Sequence, residues 1–247
     1  MSGRRDAPPL PQHLSRRWRA RGAVLVRDLG SIEYADAVRL QNELAEQRLL
    51  EEIPDTLLLL EHPPVVTLGR RGTLEDVYLS EADLKRRGIA LERTTRGGLV
   101  TYHGPGQLVG YPIVKLRARG LTVPCYVRAL ELSVIDALHE IGIAARIDEG
   151  RVGVWTDSGK IAAIGVAQRH GVTLHGFAVN LQPDLSHFAL INPCGIGDLG
   201  VTSASVLLGH RIDSEDFKRR IAQTLEVQLR AAACQPINWS EPASVVG

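Results

Sequence analysis

The chain has 247 residues, enough for one large domain or two small ones with a substantial core. Its apolar fraction of 44% and its charged fraction of 23% are those of an ordinary soluble globular protein. The formal net charge is +1, which does not indicate a nucleic-acid partner. No apolar run approaches the roughly 20 residues needed to span a membrane, so the sequence does not predict a membrane association.

The first half of the chain predicts a tail followed by alternating strands and helices. Residues 1–20 combine arginines and prolines without an apolar stretch behind them, which predicts a flexible tail and not a secretory signal. Ser31 is the predicted cap of the first long helix, and Ser80 with Asp83 opens a shorter one. The predicted elements are a strand at 22–29, a helix at 31–52, strands at 57–60 and 65–68, a helix at 80–88, and strands at 89–94 and 107–114 on either side of a glycine-rich loop.

The second half predicts a second long helix, a group of strands and a final helix. Thr122 caps the long helix and Pro124 lies in its first turn. Strands that are often linked as hairpins, without repeating βαβ units, favour the α+β class. We expect one domain over 21–235 and a C-terminal tail over 236–247. The predicted elements are a helix at 123–141, strands at 152–156, 160–168 and 172–180, and a helix at 214–232.

The densest candidate for a binding site is the segment from Arg96 to Gln107, which holds four glycines and a proline. Glycines let backbone N–H groups approach a ligand closely, and Tyr102 and His103 add side-chain donors. The segment is not a phosphate loop, and its glycines lead into a strand, unlike those of a dinucleotide-binding fingerprint. A tight connection with a few exposed polar groups is the alternative interpretation.

Cys194 is the candidate nucleophile, because it lies in a loop between Pro193 and Gly195. Cys125 and Cys234 fall in helical stretches among apolar neighbours and are expected to pack. Three widely spaced cysteines argue against a disulfide framework and favour a reducing, cytoplasmic location. A loop cysteine is nonetheless often inert, so the sequence around it leaves both interpretations open.

Lysine is rare in this chain, since only four of its 29 basic residues are lysines. Arginine does not deprotonate in proteins, whereas lysine can, so a lysine in an unusual place deserves a functional hypothesis. Lys160 follows the Asp157-Ser158-Gly159 turn and leads into an apolar strand. A solvated lysine at the end of a hairpin is the plainer alternative. The histidines and cysteines show no metal-ligand spacing, so we expect no metal.

Several of these blocks resemble the lipoyl(octanoyl) transferases, also called octanoyl-acyl carrier protein:protein transferases or lipoate-protein ligase B. The run from Arg96 through Ile113 matches the RGGxxTYHGPGQLVxYPI signature of that family nearly residue for residue. In order along the chain, the other matching blocks are 159–165 (Gly-Lys-Ile-Ala-Ala-Ile-Gly), 175–181, 192–195 (Asn-Pro-Cys-Gly) and 200–203. The likeness extends over roughly residues 22–230.

The resemblance implies a mixed β-sheet flanked by helices, shared with biotin and lipoate ligases. It implies transfer of octanoate from octanoyl-acyl carrier protein to a lysine of the lipoyl domains of 2-oxoacid dehydrogenases or of the glycine cleavage H protein, without a cofactor. Cys194 is then the acyl-thioester nucleophile and Lys160 its activating partner. The residues implied to line the substrate site are Arg96, Gly97, Gly98, Leu99, Val100, Thr101, Tyr102, His103, Ala163, Ile164, Gly165, Gly176, Phe177 and Ala178.

Two rival functions remain at this point. An ATP-dependent lipoate or biotin ligase on the same fold also uses a lysine near the acyl carbonyl, but an adenylate route needs no nucleophilic thiol. A non-catalytic protein that binds an acyl group or a carrier domain would keep the glycine loop, but has no reason to retain both Lys160 and Cys194.

Overall fold

The computed structural model describes residues 24–192 and 200–233, together with the backbone of a strand at 16–19. Most of its elements were expected in nearly these positions, among them the strands at Val65–Leu68 and Val172–Asn180 and the helices at Glu81–Arg86 and Val123–His139. The strands are β1 (Arg16–Arg19), β2 (Leu25–Ser31), β3 (Thr56–Glu61), β4 (Val65–Leu68), β5 (Ala90–Arg93), β6 (Val100–His103), β7 (Gln107–Ile113), β8 (Arg146–Asp148), β9 (Arg151–Thr156), β10 (Gly159–Arg169) and β11 (Val172–Asn180), and the α-helices are α1 (Tyr34–Leu49), α2 (Glu81–Arg86), α3 (Val123–His139), α4 (Ala204–Leu208) and α5 (Ser214–Ala233).

Eight strands form the larger sheet in the order β1-β2-β3-β7-β11-β10-β9-β8. Only β2 and β3 pair in parallel in this sheet, and its other neighbours are antiparallel. The central strands β3, β7 and β11 are buried almost throughout, because helices cover both faces of the sheet. The prediction of an α+β fold with a mixed sheet flanked by helices is therefore confirmed.

The helices divide between the two faces of this sheet. Helices α3 and α5 pack against each other and bury one face in a core that includes Leu130, Phe177 and Leu225. Helix α1 packs on the other face, over β7 and β11, where Leu40 and Tyr111 share a second core. No helix in the described part of the chain is both long and apolar enough to cross a membrane.

A second, three-stranded sheet has the order β5-β4-β6 and a small core of its own. Strand β6 was not predicted, because its four residues lie inside the glycine-rich segment. They form a strand because they pair antiparallel with Val65–Leu68, a contact that is distant along the chain. This pairing makes one side of the glycine-rich segment regular and leaves residues 96–99 as a short loop.

Other differences from the predicted elements also come from long-range pairing. Ser31 was predicted as a helix cap, but this was wrong: it lies in β2, where it pairs with Glu61, and Glu33 takes the N-cap position without a side-chain hydrogen bond. Strand β8 was not predicted. The four residues Arg16–Arg19, assigned to the N-terminal tail, pair antiparallel with β2. The rest of both predicted tails lies outside the described residues.

Candidate active site

A cavity of about 410 Å³ lies where the loop before β6, the strands β10 and β11, and the beginning of helix α1 meet. Both sheets contribute to its walls. Its apolar lining combines small and branched side chains with glycine backbone, and its polar lining contains one lysine, two histidines and several arginines. The predicted substrate-site residues that line it are Arg96, Gly97, Gly98, Leu99, Val100, Thr101, His103, Ala163, Ile164, Gly165, Gly176, Phe177 and Ala178.

Tyr102 is the one predicted substrate-site residue that does not line this cavity. Strand β6 alternates, so that Tyr102 points into the small core while its neighbours Thr101 and His103 face the cavity. The ring of Tyr102 packs against His187 and Phe188, with ring centroids 4.9 and 5.6 Å away. Burial raises the pKa of the Tyr102 hydroxyl to about 12.

The loop at 96–99 is held in place by backbone hydrogen bonds on two sides. Gly97 N donates to Val166 O of β10 at 2.9 Å, and Gly69 N donates to Leu99 O at 2.7 Å. Gly98 has φ +84°, a left-handed conformation that favours glycine. The glycine-rich loop is therefore a rigid wall that joins the two sheets.

Arg96 is the central cation of this wall. Its side chain is buried, and its guanidinium donates to the carbonyl oxygen of Thr67 at 2.7 Å, to the hydroxyl of Thr67 and to the carbonyl oxygen of Gly97. No Asp or Glu of the described residues forms an ion pair with it. Burial lowers the pKa of Arg96, but an arginine remains charged, so it contributes an uncompensated positive charge beside the cavity.

Lys160 lies at the start of β10, and its backbone is fixed on both sides. Lys160 N donates to Gly200 O at 3.1 Å, and Thr202 N donates to Lys160 O at 3.0 Å, so residues 200–202 run parallel to it. On the other side β10 pairs with β9, with an irregularity between Lys160 and Ala162. The described chain that resumes at Gly200 therefore runs beside Lys160.

The side chain of Lys160 is half-buried, and its Nζ lies 5.1 Å from the centroid of the Trp155 ring. The guanidinium of Arg151 lies over the same ring at 4.5 Å. Burial, reinforced by the positive charge of Arg151 and opposed by Glu131, lowers the pKa of Lys160 to about 8. Such an amine is partly neutral near pH 7 and can accept a proton.

Gly153 makes room for this lysine. A Cβ at this position would lie 2.5 Å from Lys160 Cε and 2.8 Å from Ala162 O, and the residue has φ +129°. Its N–H donates to Glu131 Oε1 at 3.1 Å, which connects strand β9 to helix α3. Of the four lysines, all of which are described, Lys160 alone lines the cavity. Lys85 is exposed, Lys115 pairs with Glu51, and Lys218 pairs with Asp28 and Glu215.

Three buried histidines and two tyrosines form a cluster beside the cavity that the sequence analysis largely missed. The stretch His62-Pro63-Pro64 and the histidine of the 175–181 block were its available signals. Burial lowers the pKa of His62 and His175 to about 4 and that of His103 to about 3, so all three are neutral. We call the group formed by Tyr34, His62, His103, Tyr111 and His175 the histidine cluster.

His175 carries backbone strain in the middle of strand β11, where its φ is +58°. Its N–H donates to Gln41 Oε1 at 2.7 Å, and its Nε2 lies 3.0 Å from Thr95 Oγ1. A positive φ is uncommon for a residue other than glycine, and such conformations are often found at functional sites. It turns the ring toward helix α1 and the cavity instead of into the core on the other face.

The predicted nucleophile Cys194 lies outside the described residues, as does Cys234. Cys125 is partly buried and packs against the core beneath helix α3, as expected. Within residues 24–192 and 200–233, no group of three or more His, Cys, Asp or Glu side chains could hold a metal ion.

Comparison with known proteins identifies the family. A model of the lipoyl protein ligase A/B catalytic domain matches residues 33–226. The chain belongs to this family. The octanoyltransferase of Chloroflexus aggregans is 52% identical over 203 residues, which cover 81% of this chain and 92% of that protein. The octanoyltransferase of Geobacter metallireducens is 46% identical over 199 residues, 81% of this chain and 90% of that protein.

Solved structures of ligases share the fold at low sequence identity. Lipoate-protein ligase A bound with ATP superimposes with a TM-score of 0.66 at 18% identity, over 84% of this chain and 85% of that chain. A biotin protein ligase from Aquifex aeolicus in complex with biotin and ATP gives 0.52 at 16% identity, over 83% and 70%. The resemblance to the lipoyl(octanoyl) transferases is thus confirmed, and the chain is an acyltransferase of the A/B family.

Proposed function

We propose that this enzyme transfers an octanoyl group from octanoyl-acyl carrier protein to a lysine of a lipoyl domain, through a thioester on Cys194. The single observation that carries the proposal is the cavity in which a half-buried Lys160, with a pKa lowered to about 8, faces an apolar wall. The sequence likeness to octanoyltransferases supports the choice of acyl group and of acceptor class.

In the first half-reaction Lys160 takes the proton of the Cys194 thiol, and the thiolate attacks the carbonyl carbon of the donor thioester. The bond from that carbon to the carrier's sulfur breaks, and the departing thiolate takes the proton back from Lys160. Donor and product are both thioesters, so the exchange is nearly balanced in free energy and needs no ATP. The positive charge of buried Arg96 favours the negative charge that develops during each addition.

In the second half-reaction the amine of the acceptor lysine attacks the Cys194 thioester. A carbon–nitrogen bond forms, the bond from the carbonyl carbon to Cys194 sulfur breaks, and neutral Lys160 takes the proton that the amine loses. An amide is more stable than a thioester, so this step completes the transfer.

The apolar wall is suited to a medium-length acyl chain. Leu99, Ile164 and Phe177 line it, and the glycines of the loop allow the chain to lie close to the backbone. Six methylenes buried at about 0.8 kcal/mol each would contribute about 5 kcal/mol to binding. We also propose a cytoplasmic location, which rests on the three widely spaced cysteines.

The test is acyl transfer without ATP. Octanoyl-acyl carrier protein and a lipoyl domain should give octanoylated lipoyl domain in the presence of the enzyme. The fold is also that of ATP-dependent ligases, so the parallel reaction contains free octanoate, ATP and the same lipoyl domain. Transfer only in the second mixture would replace the proposed function with a ligase activity. Binding of the carrier without transfer in either would favour a non-catalytic protein.

A further inference from the structure

One hydrogen-bond relay leads from the backbone beside Lys160 to His103. Asn180 Nδ2 donates to Thr202 O at 3.0 Å, and Thr202 N is bonded to Lys160 O. Gln107 Nε2 donates to Asn180 Oδ1 at 2.9 Å, and Gln107 Oε1 lies 2.6 Å from His103 Nδ1. Gln107, Asn180 and His103 are all buried and all line the cavity.

The direction of every bond in this relay is fixed by backbone carbonyls. Thr202 O can only accept, so the amide nitrogen of Asn180 must face it and its oxygen must face Gln107. Gln107 Nε2 also lies 3.3 Å from the carbonyl oxygen of Tyr102, which again can only accept. Gln107 therefore presents its oxygen to His103, and the proton of the neutral imidazole must be on Nδ1.

This tautomer leaves the lone pair of His103 Nε2 unused. Nε2 has no hydrogen-bond partner among the described residues, and it is not sealed from solvent. It therefore opens onto the cavity that the ring lines. The ring is held by stacking on Tyr34, with centroids 6.1 Å apart, and by an edge contact with His62 at 5.7 Å. His103 is thus a rigid hydrogen-bond acceptor.

The other two histidines of the cluster do not offer such an acceptor. His62 Nδ1 lies 2.7 Å from Ile32 O and must donate to it, so its Nε2 accepts from the Tyr111 hydroxyl at 2.8 Å. His175 Nδ1 is unpartnered but sealed from solvent. His103 combines a determined tautomer with an open lone pair.

We propose that His103 Nε2 accepts a hydrogen bond from the attacking amine of the acceptor lysine and so aims the nitrogen lone pair at the acyl carbonyl. A neutral amine attacks through its lone pair, so its N–H groups must point elsewhere, and a fixed acceptor sets that direction. This inference rests on the proposed function, in which the amine reacts beside Lys160.

The low pKa of His103, caused by burial and by the neighbouring His62, means that this residue stays an acceptor and does not take up the proton itself. Lys160, with its pKa of about 8, remains the proton acceptor. Gln107 and Asn180 act through His103 and are positioning residues. The attack still forms the carbon–nitrogen bond, expels the Cys194 thiolate and transfers one proton to Lys160.

Two substitutions of His103 separate its two nitrogens. In His103→Asn the side-chain amide nitrogen can replace Nδ1–H toward Gln107, but nothing replaces Nε2. In His103→Gln the amide oxygen can reach the position of Nε2, while the bond to Gln107 is weakened. His139→Gln, at an exposed position in helix α3, is the matched control.

Single-turnover kinetics should follow the two half-reactions separately, with octanoyl-acyl carrier protein alone and then with lipoyl domain added to the isolated acyl-enzyme. We expect His103→Asn to slow discharge to the lipoyl domain about tenfold, the scale of one lost hydrogen bond, and to leave acylation within about threefold. His103→Gln should recover most of the discharge rate, and His139→Gln should match the wild type in both.

Equal slowing of both half-reactions, or no slowing of discharge, would overturn the role of His103. Nitrogen-15 NMR of histidine-labelled protein tests its basis independently: we expect neutral His103 with the proton on Nδ1 at pH 7, and a proton on Nε2 would refute the inference. A wild-type protein that forms no acyl-enzyme would instead refute the proposed function. The NMR experiment would still test the tautomer of His103 independently.

Discussion

The substitution Lys160→Arg keeps a positive charge but removes a base that can lose its proton. With a pKa of about 8, about one Lys160 side chain in ten is neutral at pH 7, whereas an ordinary lysine with a pKa near 10.4 is neutral in fewer than about one in a thousand. Arginine has a pKa above 12 and offers essentially no neutral form. We therefore expect the transfer rate to fall by at least about two orders of magnitude, the scale of a lost general base.

The assay is steady-state transfer from octanoyl-acyl carrier protein to a lipoyl domain over pH 6 to 9. Because the neutral amine is the active form, wild-type kcat should rise with pH and level off above about pH 8. Lys85→Arg, at an exposed position, is the control for the chemical change itself. Circular dichroism must show that Lys160→Arg is folded, since Gly153 leaves limited room for the larger head group. Activity of the folded variant within a few-fold of wild type would mean that Lys160 acts only as a fixed charge.

Three further predictions concern the surroundings of this lysine and the route of the acceptor. Gly153→Ala should displace the lysine and slow transfer on the order of 10- to 100-fold. Gly142→Ala, also at a positive φ (+86°) but with no atom within 4 Å, should affect only stability; equal rates for both variants would refute the packing argument. Lys160→Met should stabilise the fold at pH 7 on the order of 1–2 kcal/mol, because the folded state binds this proton more weakly than the unfolded state does. This gain in the free energy of unfolding should shrink as the pH rises from 8 toward 10.5, where the unfolded lysine also loses its proton. Chemical denaturation at pH 7 and at pH 10 measures the gain; an unchanged or larger gain at pH 10 would contradict the predicted decrease. Reversing the charges of exposed Arg70 and Arg71, next to the cavity mouth, should slow association with an acidic lipoyl domain and weaken its salt dependence. The same change at Arg86 and Arg87, at the C-terminal end of helix α2, should not; an unchanged salt response would remove Arg70 and Arg71 from the docking surface.

Local signals in the sequence were sufficient for the elements that are stabilised locally. Thr122 accepts a hydrogen bond from Cys125 N and Ser80 accepts one from Asp83 N, as the capping patterns predict. The two long strands of the hairpin around His170 were also predicted, because each is apolar over most of its length. These features depend on neighbours within a few residues.

The structural features that could not be predicted from the sequence depend on pairing between distant segments. Ser31 has the composition of a helix cap, yet pairing with Glu61 keeps it in an extended strand. Val100–His103 is too short to be predicted as a strand without its partner β4. No local pattern distinguishes Lys160 from a solvated hairpin lysine, since its environment comes from Trp155, Arg151 and Gly153 on the neighbouring strand.

The histidine cluster shows the same limit at the site. His62, His103 and His175 are far apart in sequence. The antiparallel pairings of β3 with β7 and of β7 with β11 bring the segments of His62 and His175 close together in the larger sheet, whereas His103 lies in β6 of the smaller sheet. His103 was included in the candidate site because of its motif, but the state of its ring depends on Gln107 and Asn180. A tautomer of this kind can be inferred only from the folded chain.

Intact-protein mass spectrometry, after mixing the enzyme with octanoyl-acyl carrier protein in the absence of acceptor, tests for the thioester on Cys194. We expect a gain of one octanoyl group, its removal by hydroxylamine, its location on Cys194 after proteolysis, and its absence in Cys194→Ala. If the Cys194→Ala variant transferred octanoate at the wild-type rate without any acyl adduct, the thioester mechanism would be contradicted.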